Sequence, residues 1–421
     1  MKRRKHLFPL LILIGAVLAL AACGQAATRD EAPASTSTPL SEPTEATGQA
    51  IADPTSAPST STPVPPLVQK ITSDTPGEVG SLAPELTGIA GWINAEPFTL
   101  ESLRGQVVLI DFWTYTCVNC LRTFPFLKEW QEKYADRGLN IVGVHTPEFE
   151  FEKTKANVED AVSRNGLEWR MAQDNDMKTW RAYNNRFWPA KYLIDATGVI
   201  RYRHFGEGAY DETERQIREL LEEIGVDLSD IVASTEQGPG VDPGASRTDS
   251  SLSLTRELYA GIQRNISASV PYYGNNQFYY VPSLTAAFYD DPGDHANHFL
   301  YLHGAWLNGM ESIMHAQETE NLDDYIALKI FATSVNVVIA SEDAGPYDVV
   351  ITLDGLPVEM EAWGADLRLN GEGMTVIRVD EPRMYGLLEL PAFGGHELKL
   401  SSNSQDFNIF AFTFGAYVQG P

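Results

Sequence analysis

The sequence predicts two successive domains: an α/β domain whose one mixed sheet carries helices on both faces, then an all-β sandwich. Three observations lead there. Between residues 81 and 225, apolar strand-sized runs alternate with amphipathic helical stretches in the order β-α-β-α-β-β-α. Residues 251–421 instead carry short strand-like runs, such as Val335-Asn336-Val337-Val338-Ile339-Ala340 and Leu398-Lys399-Leu400. A polar, Gly/Pro-bearing stretch at 226–250 separates the two textures and reads as a linker.

Taken in order, residues 107–113 (Val-Val-Leu-Ile-Asp-Phe-Trp) are apolar on both faces and read as a buried strand. Residues 118–134 follow with helical spacing, and 139–144 form a second buried strand. Residues 154–164 fit a crossover helix. Tyr192-Leu193-Ile194-Asp195 and residues 199–204 flank Ala196-Thr197-Gly198, a hairpin signal. Asp211 with Glu214 three residues later predicts a capped helix running to Ile224, and Gly225 stops it.

The chemistry is announced by three cysteines. Cys117 and Cys120 form a C-V-N-C pair just after the first buried strand, while Cys23 lies at the end of an apolar leader. Half a zinc site looks like the pair, but no further CxxC or nearby Cys/His cluster supplies the other ligands, so no metal is expected. A dithiol–disulfide couple needs one thiol that ionises near neutral pH and a second within reach. Cys117, at the strand-to-helix junction, gains free N–H groups and the helix dipole, which favour its anion. It is the expected attacking thiol, and Cys120, one turn on, resolves the mixed disulfide. Asp111, between Ile110 and Phe112, is the candidate proton acceptor for Cys120, with burial expected to raise its pKa. A solvated strand-end carboxylate is the competing role. Glu148 is either an acid near the thiols or a solvated loop carboxylate, the second being the commoner case. His145 and His204 have no partner that sequence identifies, and His295 and His298, three apart beside a turn, make a poor metal site.

Residues 2–5 are basic, 7–22 apolar, and Leu20-Ala21-Ala22-Cys23 resembles the lipobox of bacterial lipoproteins, which implies export and lipid anchoring at Cys23. Residues 24–80, rich in Pro, Ser and Thr, read as a disordered tether. As a flexible coil of ~55 residues it would reach about 40 Å. Formal charge is −26, and loss of Lys2, Arg3, Arg4 and Lys5 with the leader takes it to −30. Such a surface repels nucleic acid, so no nucleic-acid partner is expected.

Asp111-Phe112-Trp113, followed by Thr-Tyr-Thr-Cys117-Val-Asn-Cys120 and Pro125, resembles the active-site segment of thioredoxin. Phe98-Thr99-Leu100 with Leu103-Arg104-Gly105 is similar to the exported TlpA/ResA/DipZ group. His145-Thr146-Pro147-Glu148-Phe149, Trp188-Pro189-Ala190-Lys191-Tyr192 and Phe205-Gly206-Glu207-Gly208 resemble the extracytoplasmic part of DipZ-like proteins. The resemblance is strong over 81–225 and weaker beyond. It implies a thioredoxin-like fold for 81–225 and thiol–disulfide oxidoreductase activity, with no cofactor beyond a redox-active Cys117–Cys120 disulfide. It also implies that Pro189 is a cis-proline facing the CxxC. Trp188 and Trp113 are candidates for apolar contact with a client, with core packing as the competing role. Two departures, Val118-Asn119 between the cysteines and Thr116 before them, fall where redox potential is tuned, so the direction of electron flow does not carry over.

Thr255-Arg256-Glu257-Leu258-Tyr259-Ala260-Gly261 and Trp306 with Glu311 resemble the C-terminal module of DipZ-like proteins, which implies for 251–421 a jelly-roll form similar to carbohydrate-binding domains, with Tyr272, Tyr273, Phe278, Tyr279 and Tyr280 able to stack on sugar or to fill the core. The expected protein is thus a lipid-anchored, extracytoplasmic oxidoreductase of protein thiols and disulfides, supplied by a membrane thiol carrier. A surface-tethered glycan- or partner-binding protein is the rival.

Overall fold

The run Val107–Trp113 has no residue facing solvent, so it must have a strand on each side. In the computed structural model, which describes residues 70–417 apart from 235–237, 239, 243–244, 246–248, 266–270 and 342–344, it does. The first sheet contains β1 (Gly91–Ile93), β2 (Val107–Trp113), β3 (Leu139–His145), β4 (Arg170–Gln173), β5 (Ala190–Ile194) and β6 (Ile200–Phe205). Their spatial order is β1-β4-β3-β2-β5-β6. Strands β2, β3 and β4 run parallel, whereas β1 and the β5–β6 hairpin are antiparallel to their neighbours. The two faces of β2 feed two cores: Val107, Leu109 and Trp113 meet the helices on one side, and Val108, Ile110 and Phe112 fill the other. This is the mixed α/β sheet expected, enlarged by β1 and β4, which are too short for periodicity to reveal.

One expected helix is two. Helices α1 (Val118–Leu121) and α2 (Phe124–Tyr134) are separated at Arg122-Thr123. Pro125 lacks the N–H that would bond the Leu121 carbonyl, and its ring crowds that carbonyl. The Cys120 carbonyl at the break accepts from both the Thr123 amide at 3.0 Å and Thr123 Oγ1 at 2.9 Å. Helices α3 (Lys155–Arg164), α4 (Lys178–Ala182) and α5 (Tyr210–Glu223) complete the domain. The capping pair expected for α5 does not form. Ala209 is the cap residue, and Glu214 is buried instead, accepting from Tyr134 Oη at 2.6 Å and the Ser234 amide at 2.8 Å. At helical spacing Glu214 shares the inward face with Ile217 and Leu221, so it cannot turn back to the helix start.

Cys23 and residues 1–69 of the leader and tether lie outside the described residues. From residue 72 the chain already attaches to the first domain: the Thr72 and Ser73 amides donate to the Gly80 carbonyl, and the Gly80 amide donates to Ile200. Residues 72–80 are therefore folded surface rather than tether, a correction that composition concealed. The stretch read as linker also begins as part of this domain, because Leu228 is buried and Val226 and Ile231 pack beside it.

The second domain is all-β. Among the described residues, eleven strands form one hydrogen-bonded sheet around one interior, to which Leu302, Ile326, Leu328, Ile330, Val349, Ile351, Leu398 and Leu400 contribute fully buried side chains. Two long strands, Tyr325–Ala340 and Arg383–Ser401, pair along much of their length with register shifts after Ala332 and Val335. Such bulges increase local twist and let one strand serve both sides of a curled sheet. Tyr273 and Phe278 stack at 3.7 Å inside this core, whereas Tyr280 is 86% exposed.

The domains share a seam. Phe149 and Phe151 from the loop after β3 pack on Phe410 at 5.1 and 4.9 Å between ring centroids, beside Val338, Ala340 and Ala411. Arg164 is paired with Glu381 at 2.6 Å across the same seam.

Candidate active site

Cys117 is the cap residue of α1, with an extended backbone (φ −88°, ψ 107°) that places it outside the helix while its carbonyl accepts from the Cys120 and Leu121 amides. Cys117 is half-buried and Cys120 has no exposure. Both are free thiols. The more accessible sulfur is thus the one expected to attack. Burial, a hydrogen bond with Cys117 and the Cys117 charge push the Cys120 thiol well up, with Asp111 adding a smaller push. Cys120 therefore ionises only if something takes its proton.

Asp111 is 1% exposed, on the same face of β2 as Leu109 and Trp113. Burial raises its pKa, opposed by Lys191. Lys191 was not singled out in the sequence. It stands directly opposite Asp111 in the β2–β5 pairing, is equally buried, and its Nζ lies 3.1 Å from Oδ1, off hydrogen-bond alignment. A lysine inside the apolar run Ala190–Ile194 was the available signal, because such a residue needs a buried anion opposite it.

Glu152 is a second buried acid, which no motif or spacing in the sequence marks. It lies in the turn Glu150–Lys153 and accepts from Thr114 Oγ1 at 2.5 Å and Thr116 Oγ1 at 2.6 Å through one oxygen. Its other oxygen accepts from the Glu148 and Phe149 amides at 2.5 and 3.0 Å. Burial pushes it up to about 7 against the pull of these donors. A carboxyl raised in the folded state stabilises most below its ordinary value of 4.5, and that contribution is lost as pH rises through 7. Glu152→Gln should therefore flatten a decline in stability of about 3 kcal/mol across that window. Urea midpoints taken against pH for both proteins read the difference; equal slopes would refute it. His145, which burial takes down to about 3, titrates in both proteins and cancels.

Glu148 is not a solvated loop carboxylate. It accepts from Tyr259 Oη at 2.9 Å and pairs with Arg264 at 2.8 Å, both in the second domain. His145 is buried, stacked on Tyr115, with Nε2 3.4 Å from Thr114 Oγ1. His204 Nε2 lies 3.0 Å from the Glu207 carbonyl oxygen.

The Trp188–Pro189 bond is cis, and Trp188 is half-buried, tilted against Trp180 at 4.2 Å between ring centroids, with Nε1 donating to the Thr146 carbonyl at 3.0 Å. Trp113 corrects an expectation. It is 1% exposed, wedged against Phe124 and His145, and offers no surface to a client. Strand alternation put it with Leu109 and Asp111 under the helices. The exposed apolar pair near Pro189 is Phe187 with Phe205, 5.3 Å apart, Phe187 being 52% exposed.

Arg122, two residues beyond Cys120, ties the dithiol helix to its surroundings. It pairs with Glu207 at 3.4 Å, lies over the Tyr417 ring at 4.4 Å and donates to Ser334 Oγ at 3.3 Å. Beside it a cleft of 650 Å³ runs between the domains, with Val118 and Leu121 on one wall and Met384 and Leu388 on the other. His295 lies between Asp291 and Glu397, and no group of metal-ligating side chains is found among the described residues.

Comparison with known proteins matches residues 78–221 to the family described as Redoxin and 255–415 to the family described as thioredoxin like C-terminal domain. Protein DipZ of Mycobacterium bovis is 37% identical over 287 residues, 67% of this chain and 38% of that protein, so the chain spans well under half the length of this relative. Thiol-disulfide oxidoreductase YkuV of Bacillus subtilis is 32% identical over 141 residues, 33% of this chain and 94% of that protein. A solved structure of a thiol:disulfide interchange protein assigned as DsbE from Chlorobium tepidum covers 34% of this chain and 98% of its own at 26% identity, with a TM-score of 0.31.

Proposed function

This chain belongs to the thioredoxin-like thiol–disulfide oxidoreductases, and from that premise we propose that it reduces protein disulfides outside the cytoplasm while anchored by a lipid on Cys23. The observation that carries the reading is the pairing of a half-buried Cys117 at a helix start with a fully buried Cys120 and a buried carboxyl beneath it.

The Cys117 thiolate attacks one sulfur of a client disulfide. A mixed disulfide forms, and the client's other sulfur leaves as a thiolate. Cys120 gives its proton to Asp111 and attacks Cys117 Sγ, which expels the second client thiolate and closes the Cys117–Cys120 bond. Two electrons pass to the client, and a membrane thiol carrier returns them. Lys191 keeps Asp111 able to ionise: without that cation, burial alone would hold the carboxyl protonated and unable to accept. Pro189 with Trp188, and the exposed Phe187–Phe205 pair, supply the surface for an extended client. No helix among the described residues is long and apolar enough to cross a membrane.

The test is the reduction potential of the Cys117–Cys120 couple in the purified chain. A value near about −270 mV supports a reductant, and one near about −120 mV makes it an oxidant of client thiols. Absence of any reversible two-electron couple sinks the reading.

A further inference from the structure

The turn leading into Cys117 carries two threonine hydroxyls, on Thr114 and Thr116, and both residues are buried. A hydroxyl has a single proton to donate. Each of these protons goes to the same oxygen of Glu152, at 2.5 and 2.6 Å. Thr116 is the residue immediately before the attacking cysteine, and the Thr114 backbone is itself bonded to both cysteines: its carbonyl accepts from the Cys117 amide, and its backbone hydrogen bonds the Cys120 thiol. Glu152 therefore takes up both threonine hydroxyls of the turn that leads into the attacking cysteine.

We infer that Glu152 is a positioning residue of the redox centre, which withholds the Thr114 and Thr116 hydroxyl protons from the thiolates and thereby keeps the couple toward its reducing end. The inference rests on the reading of Cys117 and Cys120 as an exchanging dithiol. A thiolate that receives a hydrogen bond is stabilised, becomes easier to form and is harder to oxidise to the disulfide. With both hydroxyls committed elsewhere, the thiolates lack that stabilisation, and the dithiol gives up its electrons more readily.

The position of Glu152 is in turn held by the second domain. Its neighbours Phe149 and Phe151 are packed on Phe410, the Glu150 amide donates to Glu311 at 2.9 Å, and Glu148 is tied to Tyr259 and Arg264. The β-domain thus reaches the redox centre through a loop of five residues. The titratable groups that act on Glu152 are Tyr115 and Glu148, and His145 lies on the far side of Thr114 Oγ1. Burial takes His145 down to about 3 and holds the Tyr115 phenol up, while Glu148 pushes Glu152 upward.

Alkylation of reduced full chain by iodoacetamide at pH 8, where Glu152 is ionised, reads the reactivity of Cys117. Glu152→Gln should react about tenfold faster, the scale of one hydrogen bond to a charged group. Its potential should rise by about 30 mV, the equivalent of tenfold in the equilibrium constant. Adding Thr114→Val and Thr116→Val to that variant should bring the rate back to within about twofold of the parent, because the donors are then gone. A normal couple with an unmoved rate in Glu152→Gln overturns the inference and leaves the oxidoreductase reading intact. Acceleration that persists without the threonines overturns it too, since loss of the carboxylate charge alone would then suffice. Absence of any couple in the parent chain instead removes the underlying reading. Should Glu152→Gln fail to fold, the two valine substitutions with Glu152 in place carry the test. They should leave alkylation within about twofold of the parent, whereas a tenfold fall means the hydroxyls had been serving the thiolate all along.

Discussion

Cys117→Ser should abolish turnover of protein disulfides, lowering kcat/KM by a factor on the order of 10³ or more, with the fold intact. A hydroxyl at position 117 is a far weaker nucleophile than a thiolate and cannot form the mixed disulfide at neutral pH. Cys120→Ser should behave differently. The first exchange still occurs at the half-buried Cys117, but nothing returns to release the client, so a covalent complex accumulates that dithiothreitol dissolves. Mass analysis after incubation with a disulfide-bonded client distinguishes the two. If the covalent complex appears with Cys117→Ser rather than with Cys120→Ser, the roles are reversed and the burial argument fails.

Lys191→Met should cost about 3–5 kcal/mol of stability, the usual consequence of leaving one partner of a buried ion pair behind. Asp111 and Lys191 are each 1% exposed and 3.1 Å apart, so no solvent compensates the loss. The sign of the pH dependence follows from Asp111, whose pKa is already raised and is held back only by Lys191. Without the cation its pKa rises further. The penalty should then be largest above pH 7, where the unfolded carboxyl ionises freely while the folded one is held protonated, and shrink toward pH 4 as the unfolded one takes a proton too. Replacing both residues, Asp111→Asn with Lys191→Met, should restore most of the stability and none of the release of mixed disulfide, because the proton acceptor is gone. Chemical denaturation at three pH values reads the first effect and single-turnover client release the second. A Lys191→Met protein as stable as the parent at pH 8 would show that the pair contributes nothing to the fold.

The parts of this site that could be read in the chain are those held close together in sequence. Asp111, Cys117 and Cys120 lie within ten residues, and a strand followed by a helix brings them together whatever surrounds them. Where several roles were open, tertiary contacts decided. Trp113 was open to client contact, but its place beside Leu109 and Asp111 on the helix-covered face puts it in the core. Glu148 belongs to the seam between domains because Arg264, more than a hundred residues later, folds against it.

The sequence by itself determined the α/β-then-all-β order, the dithiol and the acid beneath it, since each follows from local periodicity or short spacing. Only the tertiary structure decided what surrounds them: Lys191 across the sheet, Glu152 on the two threonines, Arg122 between the domains. The physical reason is common to all three. Each is a charged side chain that is stable in the interior only because a distant segment supplies its partner, and that pairing is set by strand register and domain packing rather than by any property of the neighbouring residues.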